Sequence, residues 1–293
     1  ESRTNLVNYS EELDNPDWGT TKASVSANVA VAPDGNTTAD KLVEDAVTGN
    51  HLFFIDDDQI SEITAGNQYT YTIYAKAAER TRIRVLNIND PVPFGFISTV
   101  YFDLSDGTVV GTTNPDGWDS YSITDAGNGW YRIQLTTIPV VVTNTFTLNT
   151  TFMRVYLVSS GTTDNYLGDG TSGIYLWGAQ LEAGAFPTSY IPTTSTAVTR
   201  NADVATMTGT NFSDWFNASA GTFFIETNAR NGDDLLTAGS YVLTADATAL
   251  KKYATTYGAD PSATQLDFGK GTIQRVMYYP HELIAAELAA LVA

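Results

Sequence analysis

The fold is decided by residues 68–88, QYTYTIYAKAAERTRIRVLNI, which contain two runs of alternating apolar and polar side chains. In the second run, Ile83 and Val85 alternate with Arg82 and Arg84. Alternation with a period of two is typical of a β-strand that buries one face and exposes the other. The segment therefore predicts two strands, each with one face in a core.

The same pattern recurs between residues 20 and 182. It predicts further strands at residues 98–104, 130–137, 150–158 and 173–182, and shorter ones at residues 39–43, 51–55, 108–111 and 118–123. Glycine next to Asn or Asp separates them, as in Gly127-Asn128-Gly129, because these residues tolerate the positive φ of tight turns. Short strands punctuated in this way predict an all-β, antiparallel jelly roll or a similar β-sandwich.

The last of these strands, residues 173–182, is apolar on both sides and is expected in the middle of a sheet. Strict alternation would place Tyr175, Trp177, Ala179 and Leu181 on one side of it, and Ile174, Leu176, Gly178 and Gln180 on the other.

The composition changes at residues 187–210, where Pro, Thr, Ser and Ala replace the alternating pattern. This change predicts a jelly-roll domain at residues 1–186, a linker at residues 187–210 and a smaller β-rich domain at residues 211–293. In the smaller domain, strands are expected at residues 221–227, 240–244 and 271–279, with a short helix after Pro280.

The composition also excludes several classes of protein. With 33 acidic and 15 basic residues, the net charge of -18 repels phosphate backbones and anionic membranes, so nucleic acid is not expected as a partner. The chain has no apolar run long enough for a membrane span. It has no cysteine, which fits synthesis in a reducing cytoplasm. It does not start with Met, which suggests that residues upstream of Glu1 are missing.

Catalytic chemistry has little support. The chain has two histidines, His51 in an apolar strand and His281 beside Pro280, and neither lies near a serine motif of a catalytic triad. Both are therefore expected to be structural, and the protein is expected not to be an enzyme.

The densest acidic cluster is Asp56, Asp57 and Asp58 with Glu62. Three interpretations remain open: a solvated turn, a structural calcium site built from loop oxygens, and a catalytic carboxylate pair. Apart from such a calcium ion, no cofactor is expected.

A glycan-binding surface is predicted from arginines and aromatic residues on the outward faces of strands. Sugars bind to aromatic plates together with planar polar groups that hold the hydroxyls. The candidate residues are Arg82, Arg84, Trp130, Arg132, Arg154 and Tyr156. If their strands are neighbours, the guanidinium groups would suit carboxylated or sulfated glycans. The alternative is that these arginines pair with Asp and Glu on a solvated sheet face or at a subunit contact.

Several motifs carry a resemblance to a known family. They are YLWGAQLEAGAFPTSYIPT (residues 175–193), TRNAD (199–203), NLVNYSE (5–11) followed by Trp18, and GWYRI (129–133). Together they resemble the jelly-roll domains, akin to carbohydrate-binding modules, of many tailed-phage tail-fibre and structural proteins. The resemblance covers about residues 4–203. GTFFIE (221–226) and GTIQRVMYYP (271–280) are similar to parts of a concanavalin A-like, laminin-G-type sandwich that is shortened here.

The resemblance implies a non-enzymatic virion protein, made in the host cytoplasm and displayed on the virion surface, on the tail or the capsid exterior. It would form a homo-oligomer, with a trimer favoured, contact other virion proteins, and bind host cell-surface glycans as part of a tail fibre or tail-associated appendage. Two alternatives stay open: a capsid decoration protein, and the non-catalytic carbohydrate-binding module of a secreted polysaccharide-degrading enzyme.

Overall fold

The structure is a computed structural model, and it divides into two compact units. It describes residues 2–55, 60, 64, 66–89, 96–114, 117–139, 153–202, 205–214, 216–217, 219–229, 234–238, 241–244, 249–257, 265–268 and 272–292. We call Ser2–Asn201 the first unit and Ala202–Ala293 the second unit.

The first unit contains sixteen β-strands joined by turns and loops in its described part. The strands are β1 Arg3–Asn5, β2 Trp18–Thr21, β3 Ala23–Ala30, β4 Ala39–Glu44, β5 Thr48–Asn50, β6 Leu52–Ile55, β7 Tyr69–Ala77, β8 Arg82–Asn89, β9 Phe96–Asp103, β10 Thr108–Thr113, β11 Trp118–Gly127, β12 Trp130–Thr137, β13 Met153–Val158, β14 Asn165–Leu167, β15 Gly173–Ala183 and β16 Val198–Arg200.

Two six-stranded antiparallel sheets form this unit. Sheet I has the order β10-β9-β8-β13-β6-β2, and sheet II has the order β11-β12-β7-β15-β4-β3. Two ribbons, β1 with β16 and β5 with β14, complete the unit. The chain passes repeatedly between the sheets, as it does in a jelly roll. The predicted all-β antiparallel sandwich is therefore confirmed.

A single apolar core lies between the inner faces of the two sheets. Sheet I contributes Ile83, Val85 and Val155, and sheet II contributes Ile73 and Ile133, all fully buried. Burial of each such side chain contributes about 1.5–3 kcal/mol relative to exposure. The alternation of residues 68–88 thus directs one face of β7 and one face of β8 into the same core.

The predicted orientation of β15 is wrong beyond Trp177. Ala179 and Leu181 lie in the core together with Leu176, whereas Trp177 packs on the opposite side of sheet II. The pairing of β15 with β7 shifts by one residue between Trp177 and Gln180. This β-bulge reverses the alternation for the rest of the strand. The prediction that β15 is central and buried on both faces is confirmed.

The bulge turns the polar end of β15 toward the segment that follows it. The side-chain oxygen of Gln180 accepts a hydrogen bond from the Ile191 backbone N–H at 2.6 Å. Glu182 accepts one from the Thr188 backbone N–H at 2.8 Å. β16 then pairs with β1, so residues 187–201 of the predicted linker belong to the first unit.

The second unit is also rich in strands. They are β17 Ala205–Thr208, β18 Gly221–Ala229, β19 Asp234–Ala238, β20 Tyr241–Thr244, β21 Ala249–Tyr257, β22 Gln265–Phe268 and β23 Thr272–Tyr279, with helices α1 Thr210–Ser213 and α2 Ala285–Val292. They form a four-stranded sheet, β17-β22-β19-β20, and a three-stranded sheet, β21-β18-β23. The predicted smaller β-rich unit with a C-terminal helix is confirmed, and it is compatible with a concanavalin A-like domain.

Candidate functional site

The outer face of sheet I carries a row of residues fixed by strand register. Arg84 on β8 lies opposite Tyr156 on β13, and Tyr156 lies opposite Leu52 on β6. Two residues before Tyr156 on β13, Arg154 lies opposite Leu86 on β8 and opposite Phe54 on β6. Because the intervening residues face the core, these side chains share the outer surface of the sheet.

A cavity of about 510 Å³ opens on this surface. We call it the Arg84–Arg154 cavity, and it is lined by Thr21, Asn50, Leu52, Phe54, Arg84, Arg154 and Tyr156. Its volume falls in the range of pockets that hold small ligands, about 300–1,000 Å³. The register of four strands, β2, β6, β8 and β13, therefore assembles one site that mixes apolar and cationic groups.

The apolar side of the cavity depends on a glycine in the neighbouring strand. A Cβ atom on Gly19 would collide with the ring of Phe54, so the absence of a side chain lets this ring lie against β2. Leu52, Leu86 and Tyr156 form a buried cluster against which Phe54 packs. The result is an apolar wall that stays partly open to solvent at Phe54.

The cationic side of the cavity includes an arginine that is held on two sides. The guanidinium carbon of Arg84 lies 3.8 Å from the centroid of the Tyr156 ring, a cation–π contact. Arg84 Nη1 also donates a hydrogen bond to Asp164 Oδ2. The exposed fractions of the two side chains are 18% for Arg84 and 16% for Asp164, so this ion pair is largely shielded from water.

Arg82 lies on the same face but does not line the cavity. Its Nε donates a hydrogen bond to Asp103 Oδ2 at 2.7 Å. Burial raises the pKa of the Asp103 carboxyl, but hydrogen bonds from Ser105 and Arg82 outweigh this effect and hold the pKa below its ordinary value. Arg82 thus pairs with an acidic residue on the sheet face, which matches the alternative to glycan binding given for these arginines.

Trp130 and Arg132 lie in the other sheet, on β12, away from the four residues of sheet I. Trp130 is 1% exposed, and its indole N–H donates a hydrogen bond to the Val31 carbonyl at 3.0 Å. Arg132 Nη2 donates one to the Thr188 carbonyl at 2.7 Å. These two residues hold a loop and the exit segment in place, and the structure does not bring them into the cavity.

Four of the residues that line the cavity were not among the predicted site residues: Thr21, Asn50, Leu52 and Phe54. Alternation within residues 51–55 could have shown that Leu52 and Phe54 share a face. Placing that face beside Arg154 required the pairing of β6 with β13. That pairing joins residues about a hundred positions apart, and no local pattern encodes it.

A second cavity in the first unit, of about 400 Å³, has the opposite electrostatic character. Glu11 and Glu12 line it together with Asn28 and Thr193. Burial raises the pKa of Glu11 above its ordinary value, and the neighbouring Asp34 and Glu12 carboxylates act in the same direction against a hydrogen bond with Tyr190. Anionic ligands are therefore disfavoured in this cavity.

Neither histidine is positioned for the chemistry of a triad. His51 is fully buried, and its Nδ1 and Nε2 lie 2.6 and 3.3 Å from the carbonyl oxygens of Lys22 and Tyr166. The carbonyl of His281 accepts a hydrogen bond from Thr222 Oγ1 at 3.1 Å, and its side chain is exposed. The expectation that the protein is not an enzyme remains a prediction.

The predicted calcium ligands Asp56, Asp57 and Asp58 lie outside the described residues. Within the described part of the chain, no group of three or more His, Cys, Asp or Glu residues is positioned to hold a metal ion. The described helices include none that is both long and apolar enough to cross a membrane.

The fold and the site together define an antiparallel β-sandwich with a mixed apolar and cationic cavity on the outer face of one sheet. No protein-family model matches the chain, and a search of curated proteins finds no significant match.

Proposed function

We propose that this chain is a non-enzymatic, glycan-binding component of a tailed-phage virion, in a tail fibre or a tail-associated appendage. The observation that carries the proposal is the Arg84–Arg154 cavity on sheet I. The resemblance of residues 4–203 to phage jelly-roll domains supports the location on a virion, and the cavity supports the binding of a ligand there.

The chemistry of the cavity suits a saccharide. An apolar surface such as the ring of Phe54 packs against the C–H face of a pyranose, while fixed polar groups hold the hydroxyls. Arg84, Arg154 and Asn50 supply those polar groups. A glycan bound there would lie across β6 and β13, where the register fixes the spacing of its contacts.

A homo-oligomer, with a trimer favoured, is consistent with the surface of the first unit. The edge strand β10 exposes Val109 and Val110, and Val29 on the opposite sheet's edge strand β3 is 50% exposed. A closed symmetric assembly would cover apolar sheet edges of this kind. Other virion proteins are the remaining partners that we propose.

Glycan-array binding tests the proposal. Arg154→Ala should weaken binding about 10- to 100-fold, because a hydrogen bond to a charged group contributes about 1.5–3 kcal/mol. Arg275→Ala, at an exposed arginine of the second unit, is the matched control and should bind like the wild type. Thermal unfolding checks that both variants fold. Equal binding by wild type and Arg154→Ala, or no binding to any glycan, contradicts the proposal.

A further inference from the structure

We propose that the Arg84–Arg154 cavity receives the carboxylate of an acidic sugar, and that Asp164 competes with this carboxylate for Arg84 in the unliganded protein. The inference rests on the proposed glycan-binding function and specifies both the ligand class and the competition at the site.

Two arginines give the cavity its cationic character. Arg84 and Arg154 are diagonal neighbours on β8 and β13, a spacing of about 7–8 Å between backbones that lets two long side chains reach one anion. None of the described residues that line the cavity is acidic. In a chain with a net charge of -18, the cavity thus offers two guanidinium groups to an anionic ligand at one place.

An acidic residue, Asp164, contacts Arg84 from outside sheet I. Asp164 lies in the connection between β13 and β14, immediately before Asn165. It accepts a hydrogen bond from Arg84 Nη1 although it is not one of the residues that line the cavity. Asp164 therefore places a carboxylate of the chain itself on the arginine that the ligand would use.

A ligand carboxylate can take the place of Asp164 on Arg84 because the exchange keeps Arg84 paired. Both side chains of the Arg84–Asp164 pair are largely buried, so the attraction between them is offset by the hydration that both ions lose. An acidic sugar whose carboxylate accepts the hydrogen bond of Arg84 also reaches Arg154, and its ring packs on Phe54. The ligand therefore adds contacts that Asp164 does not make within the cavity lining.

The orientation of the Arg84 guanidinium favours a carboxylate over other anions. Tyr156 covers one face of the Arg84 guanidinium at 3.8 Å and so fixes its plane, which leaves the N–H edge to donate hydrogen bonds. A guanidinium edge matches the two oxygens of a planar carboxylate. Asp164 shows that a carboxylate reaches this edge while Tyr156 stays in place.

Removal of the Asp164 charge should increase the affinity of the protein for an acidic glycan. Asp164→Asn removes the competing charge and should tighten binding of an acidic glycan at least about fivefold, because Arg84 then lacks a charged partner until the ligand binds. Asp164→Ala should tighten it as well, which guards against an effect specific to the Asn side chain. Asp119→Asn removes the same charge from an exposed position on β11 and should leave affinity unchanged. If both Asp164 variants bind the glycan no more tightly than the Asp119→Asn control, Asp164 does not compete with the ligand for Arg84.

The test of the ligand class uses acidic polysaccharides that the wild type binds on the array. Reduction of their carboxylates to alcohols yields matched neutral polymers, and binding should fall at least tenfold. Undiminished binding of the reduced polymers, or a preference for sulfated over carboxylated glycans, overturns the carboxylate assignment while the proposed glycan-binding function stands. A wild type that binds no glycan overturns the proposed function itself, and this inference with it.

Discussion

At the scale of single residues, the clearest buried charge is Glu44, at the end of β4. It is 1% exposed and accepts hydrogen bonds from Arg80 Nε at 2.8 Å, the Tyr166 hydroxyl at 2.7 Å and the Asp169 backbone N–H at 2.9 Å. Burial raises the pKa of Glu44, but these hydrogen bonds outweigh it, and the pKa lies below its ordinary value. Glu44 thus ties β4 to the segment that follows Asp164.

Replacing Glu44 should therefore be costly and pH-dependent. Glu44→Gln should lower the free energy of unfolding by about 2–3 kcal/mol at neutral pH, because the variant leaves Arg80 incompletely paired. The folded pKa is below the unfolded value of about 4.3, so the ionised group stabilises the fold above that pH. The stabilisation is lost as the pH falls through the folded pKa, and the difference from wild type should shrink there.

Urea unfolding at neutral pH and at about pH 3 measures this difference. Glu79→Gln is the control, since Glu79 is 54% exposed in its ion pair with Lys41, and its loss should cost under about 1 kcal/mol. A loss of stability for Glu44→Gln that stays the same at both pH values would argue against this role of the ionised carboxylate.

Little at the residue scale could be predicted from sequence. The local pattern around Arg84 and Arg154 shows that both face outward, which the structure bears out. The partner of each arginine depends on tertiary structure: Arg84 contacts Asp164, which is 80 residues away. Trp130 faces outward as expected, but the chain around Ala32 covers it, and this contact has no local signature.

At the scale of elements, the bulge in β15 shows where periodicity stops being a reliable guide. Alternation predicted several strands closely, for example residues 130–137 for β12, but it did not predict β3 in the first unit or β21 in the second. It failed at Gly178, which has a φ of 64° and lets the strand gain one residue relative to β7. A glycine within an apolar strand was the available signal, but its φ depends on the neighbouring strand.

Gly178→Ala should destabilise the first unit by about 1–3 kcal/mol. The left-handed backbone strains any residue with a Cβ, and the added atom would lie 3.1 Å from Tyr74 Cδ2 and 3.4 Å from Tyr190 Cε2. Gly111→Ala on β10 is the control, because no atom lies within 4 Å of its added Cβ. Chemical unfolding compares the two variants. Equal stability of both variants would show that the bulge tolerates a side chain.

At the scale of the whole molecule, the chain combines a strongly acidic composition with a cationic cavity in the described part of its first unit. The sandwich could be predicted because strands with period-two alternation have one apolar face. A second sheet that packs on these faces buries them in a shared core. The position of the cavity was not, since it depends on the order β8-β13-β6-β2 in sheet I. We propose that the first unit works by presenting this outer face to a glycan from the exterior of a phage particle.

Glycan binding by intact particles tests that claim most directly. Particles assembled with the wild-type chain should bind a labelled acidic glycan at their tails, and particles that carry Arg154→Ala should bind at least tenfold less. Two results would contradict the claim. One is that the chain is not a component of the particles, and the other is that wild-type and Arg154→Ala particles bind the glycan equally well.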